Sequence, residues 1–89
     1  MKAVVTVIGK DKVGIIQGVA SVLSDNNINI MDINQTLLQG YFTMIMFVDI
    51  ENSKKDFKSI KDALEQKAKE IEVSIKIQHE DIFKSMHEV

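Results

Sequence analysis

Asp11-Lys12-Val13-Gly14-Ile15-Ile16 follow closely on an apolar run at residues 3–8, and they are the residues best placed to hold a small ligand. The pattern predicts a strand that ends in a glycine-bearing turn and opens straight into a helix. The first N–H groups of a helix have no intrahelical acceptor. A glycine beside them offers no side chain to keep a small anion or carboxylate away. Gly14 within a first helical turn costs about 1 kcal/mol against Ala, so it needs a reason to be there. Asp11, when ionised, can only accept hydrogen bonds, which suits a ligand ammonium and suits an N-cap equally well. Asn29 both donates and accepts, toward a ligand or toward its own loop, and Met31 has the adaptable side chain of a pocket wall.

Other chemistry finds less support. The chain has no Cys, which removes disulfides, zinc thiolates and thiol nucleophiles. His79 and His87 are eight residues apart, not the spacing of a local ligand pair, so no metal is expected. Neither histidine has a nucleophile fixed beside it by a motif, and Glu80-Asp81 lacks the apolar setting that would split two carboxyl pKa values. A non-enzyme without a cofactor is expected.

Eighty-nine residues with 45% hydrophobic content suit one domain with one core. The net charge is −2, and all eleven basic residues are Lys. With no Arg for bidentate contacts and no basic excess, neither nucleic acid nor anionic lipid is an expected partner. The first apolar run is too short for a signal or a membrane span, so a soluble, cytoplasmic protein is expected.

The elements that must position the turn follow from periodicity. Residues 2–8 read as a nearly continuous apolar strand covered on both faces, and 13–25 as a helix capped by Asp11, with Gly18 allowing close helix-to-sheet packing. Strands at 28–38 and 41–51 flank a Gln39-Gly40 turn, a hairpin signal. Asp32, Asn34, Gln35 and Thr36 interrupt the first of these, as an edge strand with a bulge would. Phe57, Ile60, Leu64, Ala68 and Ile71 recur at helical spacing behind a Ser53-to-Asp56 capping box. Strict alternation at 73–78 predicts a half-exposed strand, and Ile82, Phe83, Met86 and Val89 stripe a terminal helix at 80–89.

The order βαββαβ is an α+β, ferredoxin-like arrangement: a four-stranded antiparallel sheet, central strands first and third, with two helices on one face. Phe42, Met44, Met46, Val48 and Ile50 then point at the helices, while Tyr41, Ile45 and Phe47 point away. A patch of that kind calls for cover from a partner subunit or from the terminal helix with Ile82, Phe83 and Met86.

The turn Asp11–Ile16 between strand and helix, followed by Asn27-Ile28-Asn29-Ile30-Met31-Asp32 entering the second strand, resembles the ACT domain, a regulatory module for amino acids and other small ligands. The resemblance spans about residues 1–78, most like the glycine-cleavage-repressor branch and small stand-alone members, and leaves 79–89 as a helical extension. It implies a homodimer or higher homo-oligomer. The ligand would sit between the first strand-to-helix turn of one chain and the start of the second strand of the other. Position by position, Asp11 is the polar turn residue, Gly14 the close-approach glycine, and Asn29 the polar residue before the strand's Ile. The N–H groups of Val13, Gly14, Ile15 and Ile16 would hold a carboxylate, with Asp11 or the partner subunit's Asn29 on the amino group. Two departures stand out: Val13 replaces a frequent Pro, and Asp11 replaces the Asn of a serine-binding relative. With no output domain of its own, the chain would signal through another protein. The competing reading is a non-catalytic assembly module that binds no metabolite.

Overall fold

The computed structural model describes residues 1–10 and 12–87. Its elements run β1 (Lys2–Lys10), α1 (Ile15–Asp25), β2 (Asn29–Leu38), β3 (Tyr41–Asp49), α2 (Phe57–Ile71), β4 (Ser74–His79) and α3 (Glu80–His87). The sheet order is β2-β3-β1-β4 and all pairings are antiparallel, so the fold is ferredoxin-like with β1 and β3 central.

Alternation along β3 sets the layers. Phe42, Met44, Met46 and Val48 are buried beneath the helices, whereas Thr43, Ile45 and Phe47 between them are only partly covered. The same core takes Ala3, Val5 and Val7 from β1, Ile15, Val19 and Leu23 from α1, and Ile60, Leu64 and Ala68 from α2. β1 is covered on both sides at its start, because Val4, which faces away from α1 and α2, is also buried at 1% exposure. α3 supplies that second cover: Phe83 meets Phe47 edge to face at 6.0 Å, and Gln78 Nε2 donates to Met86 Sδ at 3.6 Å.

Several boundaries differ from the sequence reading for local reasons. β1 runs two residues further, to Lys10, because β3 supplies ladder partners as far as Tyr41. Helix α1 starts at Ile15 rather than 13, because Gly14 turns left-handed (φ 93°) and is itself the N-cap. Helix α2 starts at Phe57 with Asp56 as N-cap, its Oδ1 accepting from Ser59 N–H at 2.9 Å. Ser53 instead accepts from Lys55 N–H within a local turn, so no capping box forms. The Gln39-Gly40 hairpin turn has both residues at positive φ (51° and 81°), as a type I′ turn requires. A bulge between Ile30 and Asp32 leaves Met31 out of register on β2.

Glycine positions give opposite expectations. A Cβ on Gly9 would lie 2.7 Å from Val73 Cγ1 and 3.3 Å from Val73 Cα, an overlap that backbone must absorb. A Cβ on Gly18 meets Ile71 Cδ1 at 3.4 Å and Lys67 Cδ at 3.5 Å, ordinary contact with α2 rather than with the sheet. Gly9→Ala is therefore expected to destabilise by about 1–3 kcal/mol, and Gly18→Ala to stabilise by about 0.5–1 kcal/mol through helix propensity. Urea midpoints at unchanged slope measure both.

Two carboxylates tie the fold to pH. Hydrogen bonds from the Ser59 side chain and then its N–H hold Asp56 below the usual carboxylate range. The Glu51 N–H does the same for Asp49, aided by the N-terminal ammonium 3.5 Å away. A carboxyl whose pKa falls on folding stabilises the fold above its unfolded value and loses that contribution as pH drops through the folded one. Urea midpoints should thus fall on acidification through and below the carboxylate range. Asp56→Asn, which still caps but does not titrate, should flatten that part of the profile.

Candidate functional site

The turn after β1 presents backbone rather than side chains. Gly14 has no side chain to cap α1, the first turn carries no acidic residue, and the first helical bond is Gly18 N–H to Gly14 C=O at 2.9 Å. A Cβ on Gly14 would meet nothing within 4 Å, so the space before the helix start is open. Val13 is fully exposed at 103% and Ile16 at 45%, while the Ile15 side chain is committed to the core. Asp11 lies outside the described residues.

Asn29 begins β2 and lines a cleft of about 550 Å³ with Ser24 and Ala20 of α1, Asn27 and Ile30 beside it, and Asn52 from the loop before α2. The polar lining is entirely amide and hydroxyl, with no formal charge. Asn27, left-handed at φ 59°, donates its Nδ2–H to the Asn52 carbonyl at 3.1 Å and so joins the two loops. Behind it, buried Asn26 donates to the Val22 carbonyl at 2.7 Å, and its Oδ1 has no donor among the described residues. Ser24 and Asn52 escaped the sequence reading, and Asn27 entered it only as the first residue of the motif leading into the second strand. The recurrence of Asn at 26, 27, 29 and 52 was the available signal. Met31 stands 43% exposed in the bulge, further along the same strand.

Within one chain the turn and Asn29 are kept apart. The ladder places Lys2, Asp49 and Asn29 at one end of the sheet and Lys10, Tyr41 and Leu38 at the other. Eight strand steps, about 26 Å, separate those ends.

The edge strand that runs between these two ends is bare. Every residue of β2 except Ile30 is exposed. Ile33 and Leu37, opposite Met46 and Phe42 and therefore on the helix side, are exposed at 45% and 59%. Ile16, Ala20 and Ser24 recur at i, i+4 along the neighbouring surface of α1, where Ile16 and Ser24 are exposed.

Compared with known proteins, residues 2–78 match the ACT domain family. The chain is an ACT domain protein. It is 54% identical to a UPF0237 protein of Clostridium perfringens over 89 residues, all of both chains. That match includes the α3 segment, which lies beyond the family match. An ACT domain protein from Streptococcus pneumoniae superposes with a TM-score of 0.82 at 42% identity, covering 93% of each chain. The ligand-free regulatory subunit of aspartate kinase from Thermus thermophilus shares the fold, with a TM-score of 0.68 at 23% identity over 86% of this chain and 50% of that one. ACT domains are in general small-molecule-binding regulatory modules. Among the described residues of this one, no helix is long and apolar enough to cross a membrane.

Proposed function

We propose that this ACT domain senses an amino acid or a similar metabolite at a homodimer interface and passes the signal to a partner protein in the cytoplasm, without catalysis. The observation that carries this reading is the placement of two half-sites at opposite ends of one bare edge strand. If β2 pairs with its copy about a two-fold axis, the copy runs antiparallel. The partner subunit's Asn29 then comes to the end where this chain's Gly14 turn stands. Unpaired edge N–H and C=O groups favour such pairing. Ile33, Leu37 and Ile16 would lose their exposure in it.

In that arrangement the N–H groups from Val13 to Ile16 hold the ligand carboxylate, helped by the partial positive charge of the helix start. Asn29 with Asn27, Ser24 and Asn52 of the other subunit offers neutral donors and acceptors to the rest of the ligand, and Met31 supports the apolar wall. Asp11 is assigned to the ammonium. Coupling to an output is limited to the difference in ligand affinity between two dimer arrangements, typically about 1–3 kcal/mol.

Thermal unfolding against a panel of amino acids at millimolar concentration tests the reading. A ligand at a hundred times its Kd stabilises by about 2.7 kcal/mol, which for a domain of this size raises Tm by about 10 °C or more. A saturable rise with one member supports the sensor. A flat panel overturns it and leaves the assembly module.

A further inference from the structure

The helix-free face of the sheet is half covered, and the register of the strands shows which half. Inward of the row Lys2, Asp49 and Asn29 at one end of the sheet, four further cross-strand rows point to this face. Gln78, Val4, Phe47 and Asp32 form the first, and Lys76, Thr6, Ile45 and Asn34 the second. Ser74, Ile8, Thr43 and Thr36 form the third, and Lys10, Tyr41 and Leu38 the last. Helix α3 lies over the first row, with Phe83 on Phe47 and Met86 at Gln78. Beyond it the sheet is a bare shelf, with Ile8 49% exposed, Tyr41 57% and Leu38 69%. The helix itself leaves Ile82 at 50% and Met86 at 63%.

We infer that a second copy of this chain docks face to face on this surface, each α3 resting on the bare shelf of the other sheet. A ridge on one half and a shelf on the other complement themselves under one operation, a two-fold axis lying in the interface and running across the strands. A two-fold along the strands would instead set ridge against ridge. Isologous interfaces require self-complementarity of this kind. The two α3 helices then form a shared middle layer between two sheets.

Apolar content, charge and area agree with this occupant. Ile82 and Met86 of one copy meet Ile8, Ile45, Tyr41 and Leu38 of the other, removing large exposed side chains from both. The first turn of α3 carries Glu80, paired with Lys84 at 3.3 Å, and exposed Asp81, which brings a carboxylate toward a shelf that carries Lys76 and Lys10. From strand rise and spacing the shelf measures roughly 15 by 19 Å. Counting shelf and ridge on both copies, the contact removes on the order of 1,000 Å², the scale of a small specific interface. Phe47 and Phe83 hold α3 to its own sheet, while the other residues of the face make the contact.

This surface is independent of the β2 edge, so with both in use the full chain assembles as four copies. Light scattering on the eluting full chain measures its mass. Ile8→Lys with Tyr41→Lys, two exposed sites, should halve the wild-type mass with an unchanged circular dichroism spectrum. Ile33→Lys with Leu37→Lys should halve it separately, and all four together should give monomers. A wild-type dimer that the Ile8 and Tyr41 changes reduce to monomer also supports the face contact, and it counts against the edge pairing instead. A mass that those two changes leave untouched overturns the proposal, as does a monomeric wild type. Cross-linking gives a second readout that does not depend on charge variants, because the chain has no native cysteine. An Ile8→Cys chain mixed with an Ile82→Cys chain should yield a product of one chain of each with a short bis-maleimide. Failure to form that product overturns the contact.

Discussion

Gly14→Val is expected to abolish the ligand-induced rise in Tm while the homodimer persists. At φ 93° and ψ 0° a β-branched residue is strained by about 1–3 kcal/mol, so the unliganded domain should lose some stability as well. Strain alone does not remove binding, and a control separates the two. Gly40 sits at φ 81° in the β2–β3 hairpin, where a Cβ likewise meets nothing within 4 Å. Gly40→Val carries comparable strain away from the first turn of α1. It should lower the unliganded Tm while keeping the full ligand-induced increment. Only at position 14 does the added side chain stand in the open space before the helix N–H groups. An intact increment in Gly14→Val would place the ligand elsewhere.

The largest loss of stability is expected at Leu23. It is fully buried on α1, among the largest side chains of the core. Leu→Ala at such sites costs about 2–5 kcal/mol, because the lost transfer energy is joined by the cavity left behind. Against a total of roughly 4–13 kcal/mol for a domain of this length, that is a large share. A cost of about 3 kcal/mol corresponds to a Tm lower by roughly 12–24 °C. Ile16→Ala, on the same helix at 45% exposure, should shift Tm by only a few degrees in the unassembled chain. Equal shifts for the two would contradict the layer assignment. A differential scan of both variants is sufficient.

What could be read from residues alone was what repeats or punctuates. The spacing of Phe57, Ile60, Leu64, Ala68 and Ile71 defined α2, and alternation through Met44, Met46 and Val48 defined the buried side of β3. Gln39-Gly40 marked the hairpin. The starts of α1 and α2 were misplaced because each offered more than one competent cap. Gly14 prevails over an earlier start through a left-handed backbone that sequence does not display. Asp56 prevails over Ser53 through its bond to Ser59. Gly9 gave no signal at all, since what requires it is Val73, brought alongside only by the fold. The same holds for the cleft around Asn29. Ser24, Asn27 and Asn52 come from three segments, and each has an adequate local explanation as a cap, stop or turn residue. The turn half of the site was legible because strand, glycine and helix are consecutive. The assembly that would unite it with Asn29 is a matter of strand ends and a bare edge, which only the ladder exposes.

A ligand site divided between opposite ends of two chains is tested most directly by subunit mixing. Gly14→Val and Asn29→Ala chains, both also carrying Ile8→Lys and Tyr41→Lys so that assembly stops at the β2-paired dimer and each non-binding as a homodimer, are unfolded together, refolded, and the mixed dimer isolated by differential tags. In a shared antiparallel site the mixed dimer has one site with both halves intact and one with both defective. Titration calorimetry with the amino acid that raises Tm should then return one ligand per mixed dimer at wild-type affinity. No binding in the mixed dimer would mean that the Gly14 turn and Asn29 serve the same ligand from one chain, and would contradict the shared site.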